Sequence, residues 1–75
     1  MRKFVRIDCI RQVPGNPRQE MFVRADTIVS FGEAAPEYAQ TGGVSFIDIG
    51  QFGNDRMITG NEVQDIADQI SKAEM

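Results

Sequence analysis

Histidine and tryptophan are missing from this chain, and cysteine occurs once, as Cys9. Without histidine there is no imidazole base, and one thiol excludes a disulfide within the chain and a Cys/His zinc site. No apolar run approaches the roughly 20 residues of a membrane-spanning helix. The opening MRKFVRIDCI is basic and then apolar, but Asp8 and Arg11 interrupt it too early for a secretory signal. A cytoplasmic location without membrane association is the expectation. Internal repeats, low-complexity stretches and linkers are absent as well. Seventy-five residues, 41% hydrophobic and 25% charged, suit one domain, 1–75. A chain of this size hides only about 60% of the surface its unfolded form exposes, so its core is small.

Charge is divided along the chain. Residues 1–24 carry a net charge of +4 and residues 25–75 a net charge of −7, which gives −3 in all. If the fold separates the two parts, one surface suits a polyanion and another a basic partner. Mutual pairing and solvation of these charges is the plainer expectation.

Period-two alternation marks the strands. In FVRIDCI, Val5, Ile7 and Cys9 oppose Arg6 and Asp8. Pro14, Gly15, Asn16 and Pro17 then turn the chain. EMFVRAD alternates again, predicting an antiparallel hairpin. TIVSF is a third strand, and GEAAPEYAQTGG reads as a long loop, of the kind that is often functional. VSFIDIG is a fourth strand, apolar on both sides and therefore interior. QFGND turns the chain, and RMIT is a short fifth strand.

The last segment is helical. Val63, Ile66, Ala67, Ile70 and Ala73 repeat at helical spacing, with Glu62, Gln64, Asp65, Asp68, Gln69 and Lys72 facing away. Thr59 with Glu62 fits a capping box, Asn61 is a competing cap, and Asp68 and Lys72 are spaced as an ion pair. The class is α+β: a small antiparallel sheet of four to five strands, with one C-terminal amphipathic helix packed on one face.

Val23, Asp26 and Ile28, then Ile47, Ile49 and Gly50, then Ile58, Val63, Ile66 and Ile70 follow a further pattern. Together they resemble the FlbD-type small flagellar regulators and related short phage and mobile-element proteins. The resemblance spans roughly Phe4 to Ile70 and departs from that pattern at the insert Pro36–Gly43 and at FGND. It implies a regulatory, non-catalytic protein, with an FlbD-like regulator of bacterial motility as the reading it favours. It implies no binding residue.

Groups for chemistry are few. Cys9 shares the apolar side of its strand and reads as a core thiol. Glu33, Glu37, Asp48, Asp55, Asp65 and Asp68 show no spacing that demands acid–base work, and no calcium-loop pattern occurs. Thr41-Gly42-Gly43 and Gly50 with Gly53 match neither nucleotide-binding glycine pattern, so they read as turns. No metal, cofactor or enzymatic activity is expected.

Binding is the function that remains. One expectation is a regulatory protein that meets a protein partner through its loops (Tyr38, Phe52) and an acidic surface (Glu33, Glu37, Asp65, Asp68). A small acidic domain of this kind can occupy a basic groove, as anti-CRISPR-like phage inhibitors do. A second is a nucleic-acid-binding regulator using Arg6, Arg11, Arg18 and Arg24 beside Phe22, although a pI near 4.7 disfavours it. Homodimerisation is a third possibility, through sheet edges or through an outer face of Phe4, Phe22 and Ile10.

Overall fold

A computed structural model of the chain describes residues 3–10 and 18–73. The elements in order are β1 (Phe4–Ile10), β2 (Arg18–Arg24), β3 (Ile28–Glu33), β4 (Ser45–Ile49), β5 (Asp55–Thr59) and α1 (Val63–Ala73). Two 3-10 turns, Ala25–Thr27 and Pro36–Thr41, lie on either side of β3. Arg11 and the predicted Pro14–Pro17 turn lie outside the described residues.

The strands make one antiparallel sheet in the order β2-β1-β5-β4-β3, with α1 packed against it, an α+β fold. β2 and β3 are the two edges, yet only the turn Ala25–Thr27 separates them along the chain. A flat sheet of this width would hold its edges about 19 Å apart. A single 3-10 turn advances only about 6 Å. The sheet must therefore curl until its edges approach at one end. Two hydrogen bonds pin the closing turn: Ala25 N donates to Lys3 O at 2.7 Å, and Gly50 N donates to Thr27 O at 3.1 Å.

Curling gives the sheet a concave, apolar inner face. Val5, Ile7, Val23, Ile47 and Ile66 are its buried centre, with Met21, Phe31, Ile49, Met57 and Ile70 packed around them. Alternation supplies these positions on β1, β2, β4 and β5. β3 needs one adjustment: Ile28 and Phe31 are three apart and would face opposite sides of a regular strand. A register shift between Ile28 and Ser30 lets both reach the core and leaves Val29 outside, 58% exposed. Ile66 brings the helix into the same cluster, a burial worth about 2–3 kcal/mol.

Several local expectations are corrected. The long loop is shorter than predicted, because β3 continues through Gly32 and Glu33, opposite Phe46 and Ser45. The segment after it is the 3-10 turn Pro36–Thr41, in which Pro36 occupies a first-turn position that needs no N–H. β2 ends at Arg24 rather than Asp26, where the Thr27 hydroxyl donates to Arg24 O at 2.7 Å and starts the turn. Ile10, expected on the outer face, is only 4% exposed. Cys9 is half-buried at the rim of the core rather than within it.

The capping box does not form either. The Thr59 hydroxyl meets the Ser45 hydroxyl at 2.5 Å and accepts from Asn61 N at 3.2 Å. The first α1 bond runs from Ile66 N to Glu62 O. Asn61 faces β1 instead, where its Oδ1 accepts from Asp8 N at 2.8 Å and its Nδ2 donates to Arg6 O at 3.1 Å.

Candidate functional site

β1 and β2 turn a second face outward. In their register Phe4 lies opposite Arg24, Arg6 opposite Phe22, and Asp8 opposite Glu20. Phe4 is 43% and Phe22 62% exposed, two aromatic rings left in water on one small surface. A groove of about 490 Å³ runs between them, lined by Phe4, Arg6, Phe22 and Gln69. A shallower hollow of about 230 Å³ extends it past Phe4 and Gln69 to Lys72 and Ala73.

The helix wall of the groove is held by Gln69. Its Nε2 donates to Arg6 O at 2.9 Å, and its Oε1 accepts from Arg6 N at 2.7 Å. Asp65 Oδ2 steadies the arrangement, accepting from Gln69 Nε2 at 3.1 Å and from Asn61 Nδ2 at 2.7 Å.

Charge around the groove is largely compensated. Arg6 pairs with Glu20 and lies 3.7 Å from Asp8, and Arg24 pairs with Asp26 at 2.7 Å. The hydrogen bond and charge of Glu20 push the Arg6 guanidinium above its already high range. Lys72 takes part in none of the ion pairs among the described residues, because Asp68, its expected partner, accepts from Gln64 instead.

The acidic and loop candidates lie elsewhere, and none of them lines this groove. Glu33 ends β3, Glu37 sits in the 3-10 turn, and Asp68 is exposed on α1. Asp65 belongs to the amide network just described. Tyr38 is half-buried, its Cβ packed beside Gly43. Phe52 is free at the β4–β5 loop, 76% exposed.

Nor do the arginines form a single basic face. Arg6 and Arg24 share the outer face but carry carboxylate partners. Arg18 folds its guanidinium against Gly42 and Gly60, and Arg11 is outside the described residues. Sequence reasoning had Phe4 and Phe22 as an outer apolar face but missed Gln69 and Lys72. Their place beside β1 follows from how the helix packs across the sheet, which no local pattern encodes.

A second polar cluster spans the outer face of β3, β4 and β5. Arg56 forks onto Asp48, with Nε to Oδ1 at 2.7 Å and Nη2 to Oδ2 at 3.0 Å, and Ser30 Oγ donates to Oδ2 at 2.8 Å. These donors, Arg56 first, hold the Asp48 carboxyl below the usual carboxylate range. The guanidinium also lies 4.0 Å from the Phe46 ring centroid. Its groups satisfy one another, so it braces the sheet. No group of three or more His, Cys, Asp or Glu among the described residues is placed to hold a metal ion. No helix among the described residues is long and apolar enough to cross a membrane. Comparison with protein-family models, curated proteins and solved structures found no match.

Proposed function

We propose that this chain is a non-enzymatic regulatory protein that binds a protein partner through the Phe4–Phe22 groove. The observation that carries this is the pair of exposed phenylalanines beside a preformed concavity, ringed by compensated charges. Aromatic anchors surrounded by a polar rim are the anatomy of protein interfaces. Phosphate backbones favour uncompensated cations, and here Arg6 and Arg24 already carry carboxylates. The shape suits a partner segment that inserts an apolar side chain between the rings. A carboxylate beside that side chain would meet Lys72.

Affinity capture with tagged protein, after nuclease treatment of the extract, tests the reading. Wild type and Phe52→Ser should retain the same protein partner, and Phe4→Ser should lose it. Capture that depends on nucleic acid, or a partner that Phe4→Ser retains, contradicts it.

A further inference from the structure

Backbone direction on β1 determines which side of β2 is open. The N–H and C=O of Arg6 turn toward Gln69 and Asn61, the Asp8 N–H turns toward Asn61, and Asp8 O accepts from Gly60 N at 2.8 Å. Both residues therefore point away from β2. Their partners across the ladder, Phe22 and Glu20, are non-hydrogen-bonded positions. The main-chain groups of Glu20 and Phe22 thus project from the free edge of the sheet. Arg24 shares that side, with its carbonyl taken by Thr27. β3, the other edge, is blunted by its bulge at Val29, whereas all seven residues of β2 pair with β1 in unbroken register.

We infer that β2 pairs antiparallel with β2 of a second copy of this chain, about a twofold axis at Phe22. The charges select that register. Glu20 faces Arg24 of the second copy and Arg24 faces its Glu20. On the inner side Met21 meets Val23. Centring the axis on Met21 sets Arg18 against Arg24, and centring it on Val23 leaves only Phe22 to Arg24 of each strand overlapping. Centring it on Glu20 or on Arg24 sets that residue against itself. Like charges directly opposite destabilise a ladder. A further need is met as well: Asp8 and Glu20 stand opposite each other with Arg6 reaching both. Arg24 of the second copy brings another cation to that pair. This inference rests on the edge of β2 and its charges; Phe22, on the axis, also lines the groove, whereas Phe4 lies off it.

Sedimentation velocity over a concentration series tests it. Wild type should pass from monomer to dimer. Glu20→Arg and Arg24→Glu each place like charges across the axis, and each should raise the dimer dissociation constant roughly tenfold or more. Mixed in equal amounts, the two variants present opposite charges at both crossings and should sediment together as a heterodimer. Circular dichroism confirms that each is folded. Should Glu20→Arg unfold, Glu20→Gln, which removes the charge facing Arg24 of the second copy, takes its place with a smaller expected weakening. Phe4→Ser, which lies off the axis, should keep the dimer, so failure here and failure of the groove are separable. A wild type that stays monomeric at its highest soluble concentration overturns the inference and makes the β2 charges a guard against edge pairing. A dimer that the single variants leave unchanged, or variants that do not pair when mixed, overturns it equally.

Discussion

Gln69 faces the backbone of Arg6 as a neighbouring strand would, accepting from its N–H at 2.7 Å and donating to its C=O at 2.9 Å. β1 meets β5 in only one bridging pair, Cys9 with Thr59. Beyond that point its edge has no strand partner among the described residues, and side-chain amides from the helix end of the chain take over. Asn61 does the same for Asp8 N. The helix is therefore fastened to β1 by hydrogen bonds as well as by Ile66.

Removing these amides should loosen β1 before it unfolds the sheet. Asn61→Ala leaves partly buried Asp8 N without its partner and should cost about 1–3 kcal/mol. Gln69→Ala, nearer to water, should cost about 1 kcal/mol and speed hydrogen exchange at the Arg6 amide. Both side chains donate to Arg6 O and to Asp65, so the double variant should depart from additivity by about 0.5 kcal/mol or more. Urea denaturation with amide exchange reads all three.

Acid should weaken the outer brace. Asp48 has a lower pKa folded than unfolded, so its contribution is complete above the unfolded value, about 3.9. It is lost as pH falls through the lower folded value. Asp48→Asn should therefore be less stable than wild type near neutral pH, and the two should converge as pH falls through the lowered folded value of Asp48. Urea midpoints across that range should show the gap closing, and a constant gap would contradict the assignment.

Gly43 should resist any side chain. A Cβ there would come within 2.7 Å of Ile58 Cγ2 and 2.8 Å of Tyr38 Cβ, so β5 or the 3-10 turn must move. Gly43→Ala should cost about 1–3 kcal/mol, read as a lower thermal midpoint. Gly32→Ala, whose Cβ meets only the Phe46 ring edge at 3.1 Å, should cost less.

Ile66→Ala removes the helix side chain that reaches the buried centre and should cost about 2–5 kcal/mol. A domain of this length has roughly 4–11 kcal/mol in all. The variant should be marginal, and far-UV circular dichroism with urea will show whether a cooperative transition survives.

Alternation and helical spacing are local, and they located the strands and the helix stripe well. What they could not carry is tertiary. The bulge at Val29, the curl forced by Ala25–Thr27 and the reassignment of Asn61 from helix cap to strand partner all depend on distant segments. Val23, Ile47 and Ile66, which carry part of the FlbD-type resemblance, are core residues, so packing alone accounts for their spacing. The candidate site was half visible: Phe4 and Phe22 stood out as outward aromatics. Gln69 and Lys72 looked like any solvated helix face until the helix was laid beside β1.

The groove itself is tested most directly by selecting binders from a random displayed-peptide library and titrating them. The account predicts peptides with an apolar anchor beside an acidic residue, bound by wild type and lost on Phe4→Ser, with Lys72→Glu removing the acidic preference. Basic peptides that bind Phe4→Ser as well as wild type, and weaken when Glu33, Glu37 and Asp68 are neutralised, would contradict it and move the working surface to the acidic side.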